Sequence, residues 1–266
     1  MSETLLELPW SILVGFSAAI GACVGSFLNV VIHRVPRGES IVTPRSRCPE
    51  CGAGIPGWAN LPLLSYALLR GRCRGCGGTI SLRYPLVEAL AALLFVALLW
   101  TEPLGPRLLI EWALGAALIA VAFIDYDHQI IPNAITLPGI PLGIGCALLF
   151  PPPVWLDVLL GALLPGAMMW GIAAFYEWRS GRVGLGMGDV KLVAMLGAFL
   201  GIQPALGILV MGSLLGLAHG VVLIAVRGGG RKTRIPFGPA LAVAGLAHLF
   251  DPQIFSAFVE RLIGSP

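Results

Sequence analysis

The sequence predicts an all-α, polytopic membrane protein with about eight transmembrane helices and one small cytoplasmic loop domain. Three observations predict it. Of 266 residues, 57% are hydrophobic and 12% charged, and mean hydropathy is +0.87. A soluble domain carries about 25% charged residues. Apolar runs recur along the chain at lengths near the roughly 20 residues needed to cross a hydrocarbon core about 30 Å thick. Basic residues gather between alternate runs. Together these exclude an ordinary soluble enzyme, a disordered tail and a nucleic-acid binder, because a net charge of +3 is too small and too dispersed to face phosphates. The 35 Gly and 21 Pro have no collagen-like period and fall within apolar runs, where membrane helices tolerate them.

The spans are expected at 10–32, 84–100, 107–124, 134–150, 156–176, 190–202, 205–226 and 236–250. The run at 190–202 is the least suited to a full crossing. No signal peptide is expected, since Glu3 and Glu7 precede the first run and the first basic residue or His is His33. If the loops 33–83, 125–133, 177–189 and 227–235 share one side, that side holds 15 of the 17 Lys and Arg residues, counting Lys191 just inside the next span. Arg107 and Arg261 alone fall opposite. The positive-inside rule makes the crowded side cytoplasmic and leaves both termini outside. The chain is thus expected as a first transmembrane helix (1–32), a cytoplasmic loop (33–83) and a transmembrane core (84–266).

The loop carries Cys48-Pro49-Glu50-Cys51 and Cys73-Arg74-Gly75-Cys76, two C-x2-C pairs 21 residues apart. Each pair can place two thiolates on one turn, and two turns can close a tetrahedral S4 site, the preferred structural geometry of zinc. Gly52, Gly75, Gly77 and Gly78 supply permissive backbone. A cytoplasmic loop also sits in a reducing compartment, where disulfides are disfavoured. Four free thiols or a redox pair is the other reading. A closed S4 site has no open position, so zinc here would be structural. Cys23 and Cys146 lie in apolar runs and read as small core residues.

Ionisable residues at membrane boundaries are costly and usually functional. Asp125 follows the run Leu118 to Ile124 and opens Asp125-Tyr126-Asp127-His128. Asp189 closes Gly184-Leu185-Gly186-Met187-Gly188-Asp189, just before Val190 and Lys191. Both sit at cytoplasmic span ends, hence at one depth. Two close carboxylates in a low dielectric share one proton. The ionised one can draw a proton from water while the other donates to a peptide carbonyl, as in aspartic proteases. Gly186 and Gly188 would admit a substrate strand. Asp127 lies about 200° round a helix from Asp125 and reads as support. Three roles stay open to the acids: catalysis, ion or proton coupling, and helix capping with Asp189 as N-cap. A transporter would also show paired repeats with interrupted helices, and none is visible.

These residues together resemble the bacterial type IV prepilin peptidases, the leader peptidase/N-methyltransferases of the GxGD class. The motifs are Gly25-Ser26-Phe27-Leu28-Asn29 through Val35-Pro36, the two Cys pairs with Asn60-Leu61-Pro62 and Arg70-Gly71-Arg72 between them, Ile80 to Glu88, Ile124-Asp125-Tyr126-Asp127, and Gly186-Met187-Gly188-Asp189. The resemblance implies that Asp125 and Asp189 are the catalytic pair, with Gly186, Gly188, Asp127 and Lys191 in support and no cofactor for the peptidase step. It implies prepilin or type II secretion pseudopilin substrates, cut at the cytoplasmic side of the bacterial inner membrane. It also implies methylation of the new N-terminus from S-adenosyl-L-methionine, an activity typical of members that carry the Cys loop. Asn133 stands where the family usually has Asp. No nucleotide-type Gly-rich strand-to-helix turn is visible for the methyl donor. Elimination leaves the loop and its boundary, with Gly71 and Arg72 as candidates. The lipid bilayer is the other expected partner; nucleic acid is not expected, and no oligomeric state is assigned.

Overall fold

In a computed structural model, residues 9–150, 154–181, 184–227 and 236–254 are described. The acidic Glu3 and Glu7, the loop 228–235, Arg182 and Arg261 lie outside them. The described residues contain nine α-helices and no β-strand beyond two isolated bridges. These are α1 (Trp10–Arg34), α2 (Leu64–Leu68), α3 (Arg83–Thr101), α4 (Pro106–His128), α5 (Asn133–Leu149), α6 (Trp155–Ser180), α7 (Met187–Leu200), α8 (Ile202–Arg227) and α9 (Gly238–Phe250). Each of the eight expected spans coincides with one helix; α2 is a single short turn in the loop. The protein is a multi-pass membrane protein. Among the described residues, five helices (α1, α3, α4, α6 and α8) are long and apolar enough to cross a bilayer, while α5 and α9 are shorter and apolar.

Two compact units divide between Ala120 and Val121. In the first, α1 packs along α3. The Asn29 amide donates to the Tyr84 carbonyl at 3.0 Å, and Phe95 stacks on Trp112 with ring centroids 4.5 Å apart. The Trp112 indole N–H finds the Phe95 carbonyl at 3.0 Å, which satisfies the one polar atom of a buried ring. Glu88, buried in α3, accepts the Leu63 backbone N–H at 2.8 Å and so ties the loop to the helix it precedes.

The second unit is organised round α7. At 14 residues and 1.5 Å per residue it is only about 21 Å long, short of the roughly 30 Å a lipid-exposed span needs. Its shortness is tolerable because it is wrapped in protein. Leu192, Val193, Met195, Leu196 and Ala198 are all buried, and α7 packs on both α5 and α6. Small residues make that packing close: Gly161 of α6 meets the backbone of Gly197 on α7. The result is a short inner helix whose first turn carries Asp189.

Candidate active site and metal centre

The loop between α1 and α3 folds into two matching turns. In the first, the Cys48 N–H bonds to the Ala53 carbonyl (2.9 Å), the Gly52 N–H to the Cys48 carbonyl (2.9 Å), and the Ile55 N–H to the Ser46 carbonyl (2.9 Å). In the second, Cys73 bonds to Gly78 (2.7 Å), Gly77 to Cys73 (2.8 Å) and Ile80 to Gly71 (2.7 Å) in the same donor-to-acceptor order. An isolated antiparallel bridge closes each turn, Arg47 to Gly54 and Arg72 to Thr79. Gly52 (φ +70°) and Gly77 (φ +73°) hold the matching left-handed position, which a side chain would strain. Gly75 and Gly78 do not adopt positive φ.

The turns bring the Sγ atoms of Cys48, Cys51, Cys73 and Cys76 within 4.8 Å of one another, with Cys48 and Cys76 at 3.9 Å. A tetrahedron with zinc–sulfur bonds of about 2.3 Å has edges of about 3.8 Å, so the donor set and its spacing fit a four-thiolate centre. Backbone N–H groups of Cys76 and Gly75, helped by the Cys48 side chain, lower the Cys73 thiol to about 7. In the same cluster desolvation and the neighbouring thiols push the Cys76 thiol up to about 12, and a four-thiolate metal centre requires all four sulfurs deprotonated.

The candidate carboxylates are held differently. Asp125 lies in the last turn of α4 and is 5% exposed. Its Oδ2 accepts the backbone N–H of Gly238 at 2.8 Å. Gly238 is the first residue of α9, so the acid sits on the positive end of a helix whose terminal N–H groups lack intrahelical partners. Side chains are excluded there: a Cβ on Gly238 would stand 2.7 Å from the same oxygen. Asp189 is half-buried in the first turn of α7. It is the third helical residue, and Gly186 occupies the N-cap, so the capping role does not describe it. Its N–H bonds to the Gly186 carbonyl at 3.2 Å, and its carboxylate folds back over Gly186. The two acids lie close enough for the charge of Asp125 to act on Asp189.

The supporting residues divide. Gly188 makes room for the protein itself: a Cβ there would stand 2.9 Å from the Cβ of Ile131, in the segment just after α4. That close approach draws the start of α7 against the chain that carries Asp125. Lys191 donates to the Asn133 Oδ1 at 2.9 Å, linking the first turns of α7 and α5. Asp127 is exposed, unlike Asp125. Gly71 is buried at φ +66° beneath the Tyr66 ring, while Arg72 is exposed next to the second Cys turn; both belong to the architecture of that turn.

Comparison with known proteins decides the family. Residues 19–102 match the bacterial peptidase A24 N-terminal domain, and residues 112–221 match the type IV leader peptidase family. A Pseudomonas putida protein is 35% identical over 97% of this chain and 98% of its own length. The chain belongs to the type IV leader peptidase family. An Aeromonas hydrophila relative is 40% identical over 96% of this chain and 97% of its own. A Myxococcus xanthus relative is 46% identical over 80% of this chain and 64% of its own. All three carry the name prepilin leader peptidase/N-methyltransferase. No solved structure matches the chain.

Within this leader peptidase, Gly238 is the residue of the candidate site that sequence reasoning misses. Its signal is the Phe237-Gly238-Pro239 opening of the last apolar run, since Pro favours the first turn of a helix. Gly238→Ala should displace the Asp125 carboxylate. A misplacement of about 1 Å costs about 100-fold in rate, so kcat should fall on that scale with membrane insertion intact. An unchanged kcat would remove Gly238 from the site.

Proposed function

We propose that this chain is a membrane aspartic endopeptidase and N-methyltransferase. It cuts the leader from prepilins or pseudopilins at the cytoplasmic face of the bacterial inner membrane, then methylates the new amine from S-adenosyl-L-methionine. One observation carries the peptidase half: two acids far apart in sequence lie within electrostatic reach, Asp125 buried in the last turn of α4 and held by the first N–H of α9, Asp189 half-buried in the first turn of α7.

The chemistry follows from one shared proton. One carboxylate is ionised and takes a proton from water as its oxygen attacks the scissile carbonyl. The other, protonated, donates to the carbonyl oxygen and stabilises the charge that develops there. The tetrahedral intermediate then collapses, the C–N bond breaks, and the leaving amine takes a proton from the pair. Both groups return to their starting state. The Gly238 N–H orients Asp125, and Lys191 with Asn133 braces the turn that presents Asp189.

Residues 33–83 would supply the methyl-transfer region and 84–266 the peptidase core. Cys48, Cys51, Cys73 and Cys76 would hold zinc, which would fix the loop and take no part in bond chemistry. S-adenosyl-L-methionine would supply the methyl group to the free amine left by cleavage, near the loop that holds Gly71 and Arg72. Basic residues crowding the loops support the cytoplasmic orientation.

Incubation of the membrane-reconstituted protein with a prepilin and methyl-labelled donor reads both activities. A shorter product bearing one methyl group is expected. A shorter product without label removes the methyltransferase half, and an unprocessed prepilin removes the peptidase half.

A further inference from the structure

We propose that residues 61–69 of the Cys loop form an apolar turn that dips into the acyl chains of the leaflet on the loop's side, and that Glu88 holds it there. The inference needs the membrane-spanning fold and is independent of the peptidase reading.

Glu88 is an acid within α3 that the cleavage chemistry leaves unused, and such residues inside spans call for a partner. Its Oε2 accepts the Leu63 N–H at 2.8 Å, and the Ser26 hydroxyl of α1 bonds to the same carboxylate. Its depth is measured from the far ends of α1 and α3, where Trp10 meets Trp100 edge-on with ring centroids 5.2 Å apart. Both rings are exposed, as in the aromatic belts that mark a bilayer interface. Glu88 lies twelve residues along α3 from Trp100, about 18 Å at 1.5 Å per residue. Gly25, whose Cβ would stand 2.6 Å from the Glu88 Cα, lies fifteen residues along α1 from Trp10, about 22 Å. A Glu side chain adds about 5 Å at most. The Leu63 nitrogen therefore lies inside, or at the edge of, a hydrocarbon core about 30 Å thick. Helix tilt only brings it deeper.

Irregular backbone at that depth must find its hydrogen bonds within the protein, and this turn does. Pro62 has no N–H, and that of Leu63 goes to Glu88. Leu64 donates to the Pro62 carbonyl (2.6 Å), Ser65 to Leu61 (3.0 Å), Ala67 to Leu63 (3.1 Å), Leu69 to Ser65 (2.9 Å) and Gly71 to Tyr66 (2.9 Å). The Leu64-to-Pro62 bond makes a γ-turn round Leu63 at φ +62° and ψ −47°, a rare and strained form for a residue with a side chain. Such strain persists only where the surroundings over-determine it, and the Glu88 carboxylate is the group that does so here.

The side chains match an apolar solvent. Leu61, Leu64 and Leu68 recur at i, i+3 and i+7, which is one face of a helical turn, and are 49%, 63% and 74% exposed. On α3, Leu86, Leu90 and Leu93 are exposed round and beyond the level of Glu88, so lipid already occupies the depth at which the turn sits. Arg70 and Arg72, exposed just after the turn, suit the headgroups above it.

The test places full-length protein in nanodiscs whose lipids carry a photoactivatable diazirine, either midway along an acyl chain or on the headgroup, and reads the labelled residues by mass spectrometry. The acyl probe should label Leu61, Leu64 or Leu68 at a yield comparable to that of Leu93. Labelling of the turn by the headgroup probe alone, or by neither probe, overturns the proposal, as does a turn cross-linked to a second copy of the chain in place of lipid. Glu88→Ala should lower acyl labelling of the turn by about 5-fold or more while Leu93 keeps its own. Glu88→Gln, whose amide oxygen can still accept the Leu63 N–H, should restore it. Equal labelling of the turn in wild type and Glu88→Ala removes the hold of Glu88 and overturns the proposal. Leu68→Asp leaves Glu88 in place and should lower labelling of the turn by about 3-fold or more; no change overturns the proposal independently.

Discussion

Asp125→Asn and Asp189→Asn are each expected to lower prepilin cleavage by about 100-fold to 10,000-fold, the range that a positioned acid or base contributes. The amide keeps the shape of the side chain and can still accept the Gly238 N–H, so insertion and packing round α9 should persist. What it cannot do is ionise or exchange a proton with its partner. Because the pair works as a unit, the double variant should be little worse than either single one. Asp127→Asn is the internal contrast: the side chain is exposed and should cost less than about 3-fold. Cleavage rates of purified variants in nanodiscs decide all four. Substantial activity in Asp125→Asn or Asp189→Asn contradicts their roles, and a loss in Asp127→Asn equal to theirs contradicts the division between them.

The second large effect concerns the loop. Replacing Cys48 and Cys51 together by Ser removes a whole turn of the four-sulfur cluster. Structural zinc contributes roughly 10–16 kcal/mol of folding free energy in small zinc domains. The loop has little else to hold it: its described secondary structure is one five-residue helix, two short 3-10 turns and two bridges. The variant should therefore contain no zinc by elemental analysis, and protease should cut it within the loop. Methyl transfer should be lost together with the loop fold, while cleavage falls much less because both carboxylates lie in the second unit. Unchanged zinc content would contradict the four-thiolate site. Unchanged methyl transfer by the zinc-free variant would move that activity off the loop.

Much of this arrangement is legible in the residues, for identifiable reasons. Hydropathy reveals α1 and α8 because lipid-facing helices must be apolar along their length. The Cys spacing reveals the cluster because two turns with the same hydrogen bonds need the same local residues. Asp125 and Asp189 are visible because acids at span ends are rare. The tertiary reasons for those residues are not visible. Gly188 reads as space for a substrate, yet it accommodates Ile131. Asp189 is also open to a reading as an N-cap, but Gly186 takes that place. Gly238 stands 113 residues from the acid it holds, and no local pattern encodes that contact. The short α7 reads as a poor span because hydropathy windows assume lipid on every side, whereas this helix is enclosed by α5 and α6.

The account stands on the proximity of Asp125 and Asp189. The direct measurement replaces both by Cys in the full-length protein in native membranes and applies a short bifunctional thiol reagent, with linked peptides read by mass spectrometry. Asp127→Cys paired with Asp189→Cys serves as the reference. The 125–189 link should form rapidly and the 127–189 link slowly or not at all. No 125–189 link, with both cysteines shown to react singly, would mean the two acids do not share a site.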